Sequence, residues 1–300
     1  MDEKQEESVI IELEKGKIEG RKQENVYRFL GVPYAHATEY FVPAKPVEAW
    51  EGIQKANRYG KISYQGTLFG MKGKNDEYNS NDCQNLNIWT PSISKTDRYP
   101  IMVWLHGGGF STGSANDPAY DGAALANSQN VVVIGVNHRL NAFGFLNLSD
   151  FGPKYKNSAN VGMMDIVEAL RWIQKNGSCF GDDPNNITVF GESGGGCKAL
   201  VLMASPCAKG WFHKAIVESG VTRQMGITLT SNDLTRKIGM QTIKNLGLNK
   251  ETIELIQTML YTKILDAAYQ ARLKVGKQEN MHLVLSEQYG IEWEASTGTE

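Results

Sequence analysis

Two glycine-rich stretches hold the residue types that could do chemistry. In Gly191-Glu192-Ser193-Gly194-Gly195 a serine stands among glycines, directly after the apolar run Ile187–Phe190. Glycine weakens strand and helix alike, so this G-x-S-x-G cluster suits a turn too sharp for side chains. A serine on a strained strand-to-helix turn projects its hydroxyl above the sheet end, where it can act as an acyl-transfer nucleophile. The second stretch, His106-Gly107-Gly108-Gly109-Phe110, follows the apolar run 101–105. Consecutive glycines let backbone N–H groups point into a site unobstructed, which is what the oxyanion of a tetrahedral intermediate needs. The same glycines also fit a flexible loop or a phosphate-binding nest. A P-loop does not fit, because no G-x-x-x-x-G-K-[ST] is present. The order favours acyl transfer, with G-x-S-x-G arriving one crossover after the glycine turn.

Three nearly continuous apolar runs must position these residues: "PIMVWLHGGG", "VVVIGVNHRL" and "NITVFGESGGG". Each reads as a strand buried on both faces of a parallel sheet. Strands are expected near 101–105, 131–136, 187–190 and, from "HKAIVESG", 215–218. Between the second and third runs, "VGMMDIVEALRWIQKNG" is helical, with Met164, Val167, Leu170 and Trp172–Ile173 on the buried stripe and Gly177 as a stop. Upstream, "SVIIELEKGKIEG" and "NVYRFLGVPYA" are β-like, "LNIWTP" is a short strand ending at Pro91, and 57–82 reads as a long polar surface loop. A helical segment, 231–275, opens at Ser231 and Asn232 as cap candidates. Trp104, Trp172 and Trp211 are assigned to the core, and Cys197 to helix packing. The fold class is α/β, a mostly parallel central sheet flanked by helices, in one domain over 1–300 that contains 231–275.

Composition narrows the function classes. Of 300 residues 41% are hydrophobic and 21% charged, enough for a sizeable core. A formal net charge of -2 with dispersed basic residues gives no electrostatic case for nucleic acid or an anionic membrane. No apolar run has the ~18 residues of a membrane span. Cys83, Cys179, Cys197 and Cys207 show no metal-ligand spacing, and no cofactor or metal is expected. With an acidic start, "MDEKQEESVI", the expectation is a reduced, cytoplasmic protein.

At these motifs the chain resembles the type-B carboxylesterases, the cholinesterase-like branch of the α/β-hydrolases. The resemblance runs through "FLGVPYA", "NDCQNLNIWTP", "PIMVWLHGGGFSTGS", "YDGAALA", "VVVIGVNHRLNAFGFL", "NVGMMDIVEALRWIQKN", "FGDDPNNITVFGESGGG" and "GWFHKAIVESG". It implies Ser193 as nucleophile, Gly108, Gly109 and Gly194 as oxyanion-hole positions, and Glu192 as an acidic residue near the catalytic histidine. His106 takes a structural role at the base of the glycine turn. Four departures stand out. Gly194 replaces the usual alanine, and His138 the usual tyrosine. Glu39-Tyr40 and Asn81-Asp82-Cys83 stand where the family often pairs Arg-Phe with Glu-Asp-Cys, so that salt bridge is expected to be absent. The cysteine that pairs with the one at Cys83 in secreted relatives is missing too.

A serine nucleophile needs a base, and the base an orienting acid, in the chain order Ser, Asp/Glu, His. After Ser193 come only His213, before the "KAIVES" strand at its non-catalytic end, and His282, the one internal candidate, with Asp266 and Glu279 before it. The resemblance implies instead that the acid and histidine lie beyond Glu300, making this chain an N-terminal part. The resulting expectation is a serine carboxylic-ester hydrolase acting on small or medium uncharged esters through an acyl-enzyme, weak as an isolated chain. A C-terminal complementing segment or an oligomer is a possible partner. Phe110 and, from the long loop, Tyr64, Leu68 and Phe69 are pocket candidates. The alternatives are a non-catalytic, adhesion-like or truncated member and a shorter, complete lipase-like esterase.

Overall fold

The computed structural model describes residues 7–65, 78–220 and 231–279. Among them one main sheet contains β1 (Glu7–Glu12), β2 (Lys17–Gln23), β3 (Val26–Pro33), β4 (Ile53–Lys55), β5 (Asn85–Thr90), β6 (Tyr99–Leu105), β7 (Val132–Val136), β8 (Asp182–Glu192) and β9 (Lys214–Glu218). Their spatial order is β1-β2-β3-β5-β7-β6-β8-β9, with β4 beside β2. The sheet is mixed. Along the path from β1 to β7 the neighbours are antiparallel, with short turns joining β1, β2 and β3, while β4 lies parallel to β2; β7, β6, β8 and β9 are parallel, because crossovers join them. The parallel half carries both glycine turns. The polar stretch 57–82 is not all loop: Ile62–Ser63 pairs with Asn79–Ser80, and Leu68 and Phe69 lie outside the described residues.

The helices are α1 (Ala123–Gln129), α2 (Asn141–Phe145), α3 (Val161–Asn176), α4 (Gly194–Ala204), α5 (Asn232–Asn245) and α6 (Tyr261–Gln278). Among the described residues no helix is long and apolar enough to cross a membrane. α3 forms as its spacing predicts, with one shift: Met164 is half-buried on the outer face, in line with Glu168 and Arg171, while Ile166, Leu170 and Ile173 face the core. Gly177 does not stop the helix by turning left-handed. It stays right-handed, the chain runs on as a 3-10 turn, Gly177–Phe180, and Gly181 at φ 73° makes the turn. In the segment 231–275, Ser231 caps α5 by accepting from the Leu234 N–H, and the middle stretch is a 3-10 helix, Ile253–Thr258.

Ile101, Val103 and Leu105 of β6 and Ile187 and Val189 of β8 join the α3 residues in one core, which also takes in Ile238 and Ile264 of α5 and α6. Of the three strands expected to be buried on both faces, only β7 is. β6 and β8 alternate, leaving Met102, Trp104 and Phe190 half-buried on the other face, and Trp104 packs on Tyr120 and Phe190 rather than in the core. β9 is the outermost strand, with Ile216 and Val217 exposed. A buried ion pair ties the end of β7 to α3: Arg139 Nη2 and Nε donate to the Asp165 carboxylate at 2.7 and 2.9 Å, and neither side chain is exposed.

Asp182, at the start of β8, is a buried carboxyl with neither oxygen hydrogen-bonded. Its Oδ2 sits 2.6 Å from where a Gly177 Cβ would stand, so only glycine fits there. Burial, reinforced by Asp183, pushes its pKa up to about 8. The folded state therefore keeps a proton that the unfolded chain releases near pH 4, and stability falls as pH rises between those values. Urea titrations of wild type and Asp182→Asn across pH 4–9 should show this decline in the difference between them, on the order of 5 kcal/mol in all. A difference that stays constant with pH would exclude Asp182 as its source.

Candidate active site

Leu105 at the end of β6 pairs in register with Gly191 near the end of β8, so both glycine turns leave neighbouring strands at one level. Ser193 adopts φ 53°, ψ −119°, a region L-residues enter only under constraint. The constraint is visible: the Ser193 N–H donates to the Glu218 carbonyl of β9 at 2.8 Å, and the Cys197 N–H to the Ser193 carbonyl at 3.0 Å. A side chain at Gly195 would run into the Leu105 carbonyl oxygen. Ser193 occupies the N-cap position of α4 without using its hydroxyl as a cap. The Oγ thus stands at the positive end of an 11-residue helix, uncommitted to it.

The glycine turn lies against this elbow. Gly108 and Gly109 have φ of 85° and 62°. A Cβ on Gly194 would stand 2.6 Å from both N and Cα of Gly109, so glycine in place of the family's usual alanine lets the turn settle onto α4. A Cβ on Gly107 would stand 3.3 Å from Glu192 Oε2 and 3.7 Å from Ser193 Cβ. Among the described residues, none accepts from the N–H groups of Gly108, Gly109 or Gly194. Ser193, Glu192, Gly108, Gly109 and Gly194 are therefore brought together.

Beneath the turn is a buried basic cluster. The His106 ring donates from Nδ1 to the Gly107 carbonyl at 2.8 Å and stacks on His138, centroids 5.1 Å apart. Burial, and then the nearby Lys198 amine, hold both imidazoles well below the usual histidine range. Lys198 of α4 is fully buried, donates from Nζ to the His106 carbonyl at 2.9 Å, and is pulled down to about 7 by burial. Sequence reading missed it; the signal was a single charge in the otherwise apolar "CKALVLMAS".

Other expected residues fall elsewhere. Phe110 is buried edge-on against Phe145 and does not line an open pocket, while Tyr64 stacks on Tyr261 at 4.3 Å. His213 is an exposed surface histidine, as expected, and its Nδ1 accepts from the Ile187 N–H at 3.1 Å. His36 meets Asp82 at 3.1 Å, Glu39 meets Lys154 at 2.6 Å, and Asn81 donates to the Ala37 and Glu39 carbonyls, so that corner is joined by other means. None of the four described histidines hydrogen-bonds Ser193; His282 lies outside the described residues. Among the described residues no cluster of His, Cys, Asp and Glu could hold a metal ion.

Comparison with known proteins gives the family and the fold. The profile of the carboxylesterase family matches residues 7–288. The para-nitrobenzyl esterase of Bacillus subtilis is 37% identical over 276 residues, covering 91% of this chain and 54% of that protein. Mouse carboxylesterase 1E is 40% identical over 212 residues, covering 66% of this chain and 37% of that protein. Among solved structures, a Geobacillus stearothermophilus carboxylesterase superposes with TM-score 0.80 at 33% identity, covering 96% of this chain and 56% of its own. A Clostridium hathewayi esterase described as hydrolysing aliphatic aromatic polyesters gives 0.82 at 35%, covering 92% and 57%. The chain thus spans about half the length, or less, of the relatives it matches. Its sheet and flanking helices are those of the α/β-hydrolase fold, and the chain belongs to the carboxylesterase family.

Proposed function

We propose that this chain carries the nucleophile half of a serine carboxylesterase acting on small or medium uncharged esters. The observation that carries this reading is Ser193 in a left-handed turn, its hydroxyl uncommitted, beside three glycines with unengaged N–H groups. Ser193 Oγ would attack the ester carbonyl carbon and give its proton to a base. The Gly108, Gly109 and Gly194 N–H groups would hold the oxyanion of the tetrahedral intermediate. Collapse expels the alcohol, which takes up the proton, and leaves the acyl group on Ser193; water then releases the acid by the same steps. Glu192 would sit beside the base and help orient it.

We assign the base and its acid to polypeptide beyond the described residues, since no described histidine meets Ser193. The same complementing segment would cover the free edge of β9, with Ile216 and Val217, and the half-buried Trp104 and Phe190 face. Residues 1–300 would then fold as one domain containing the helical segment 231–275. A cytoplasmic location is the reading that keeps all four cysteines as free thiols. That no described histidine meets Ser193 equally favours a non-catalytic, adhesion-like role, and one assay separates the two.

With p-nitrophenyl acetate, chain 1–300 should turn over ~10⁴–10⁶-fold more slowly than an enzyme with a complete triad. The wild-type chain should slowly form an acetyl ester on Ser193, seen by intact mass, and Ser193→Ala should not. No acetylation of the wild type would support the binding role instead. Adding the family's C-terminal half as a separate polypeptide should raise the Ser193-dependent rate and suppress aggregation; no gain from stoichiometric complex would argue against the complementing segment.

A further inference from the structure

We propose that Lys198 is a positioning residue, whose buried amine holds the His106 carbonyl and thereby ties the base of the glycine turn to α4, setting where the turn's N–H groups stand relative to Ser193. The inference rests on reading Ser193 as the nucleophile. In a trans peptide the C=O and N–H point in opposite directions, so a carbonyl drawn into the protein sends the following N–H outward. Three successive carbonyls of the turn are drawn in this way. The His106 carbonyl accepts from Lys198 Nζ at 2.9 Å, the Gly107 carbonyl from the His106 ring at 2.8 Å, and the Gly108 carbonyl from the Ser111 and Thr112 N–H groups at 3.2 and 3.1 Å. Lys198 is thus the one anchor of the turn that comes from α4, the helix that Ser193 opens.

Its placement follows from helix geometry. Lys198 lies four residues after Gly194, on the same face, and side chains on a helix lean toward its N-terminus. The stem therefore runs back beneath the turn, and the amine lies 5.6 Å from the centre of the Phe110 ring. The groups facing it are His106 at the end of β6, His138 just past β7 and Cys197 on α4; among the described residues no carboxylate pairs with it. A fully buried amine without a counter-ion is costly as pure packing, and an apolar residue of equal length would fill the same space. The retained function is the hydrogen bond, which is strongest when the amine is charged.

The test labels Ser193 in the full chain with an alkyl fluorophosphonate, whose phosphoryl oxygen needs the same N–H groups while the serine oxygen displaces fluoride. Without a base the serine labels slowly, so the probe is held at millimolar concentration for hours and read by intact mass. Wild type should then label and Ser193→Ala should not; no labelling of wild type even with the family's C-terminal half added would overturn the nucleophile reading and this inference together. Lys198→Met, with unchanged near-UV circular dichroism, should label ~10²-fold more slowly, and a rate within threefold of wild type would overturn the role of Lys198 alone. A second measurement holds even if Lys198→Met does not fold. In wild type with ¹⁵N-glycine, the Gly107 amide should shift with an inflection near pH 7, where Lys198 titrates. The two imidazoles titrate well below that, so a flat Gly107 signal across pH 6–8 would overturn the coupling.

Discussion

The first turn of α4 lies directly against the carbonyl end of β6, and only hydrogen occupies the side-chain position of Gly195 between them. That approach sets the tight radius of the turn before it, and hence the left-handed backbone of Ser193. Three consecutive glycines in a helix start cost roughly 1 kcal/mol each relative to alanine, and a non-glycine residue in this region ~1–3 kcal/mol more. The strained turn persists because its surroundings over-determine it. Gly191 is locked in register with Leu105, and the Ser193 N–H is held by Glu218. Since Glu218 belongs to the outermost strand, the geometry at the serine is coupled to whatever covers β9.

A second constraint sets the distance between layers. Arg139 just past β7 and Asp165 in α3 form a bidentate pair with no exposure, and further bonds from Gln84 to Asp165 and from Arg139 to the Val42 carbonyl extend it. Such a pair adds little net stability over an apolar substitute. Its geometry, however, admits one arrangement of α3 against the sheet, and α3 is the crossover that carries the chain from β7 to β8. The pair therefore fixes where the serine turn begins.

Much of this was legible in the sequence, because the features responsible are local. The strand end at Leu105, the core of β8 over 187–190, the helix over 161–176, and the two glycine turns all follow from short-range pattern, although β8 runs on to Glu192. What escaped has non-local causes. "IMVWL" and "ITVFG" look as apolar as "VVIGV", yet only the last lies in the middle of the sheet with both faces covered. Gly177 follows the last residue of α3 as expected, but what keeps it small is Asp182 lying across from it, not a left-handed turn. Phe110 sits next to the glycines in sequence, yet its ring turns inward onto Phe145. Lys198 is the hardest case. Its role depends on a carbonyl 92 residues earlier, and the only trace in the sequence is one charge where a hydrocarbon was expected.

Asp182 sits at the opposite end of β8 from Ser193, and its surroundings have a thermodynamic consequence. At neutral pH the folded protein holds a proton on this carboxyl that the extended chain does not. For this carboxyl unfolding releases acid to the solvent buffer, whereas Lys198, His106 and His138, all held below their ordinary values, take protons up. The heat absorbed on melting then includes the buffer's own protonation enthalpy. The difference in calorimetric enthalpy between wild type and Asp182→Asn should therefore change between phosphate and Tris by close to one proton's worth, although the fold and its contacts are the same in both.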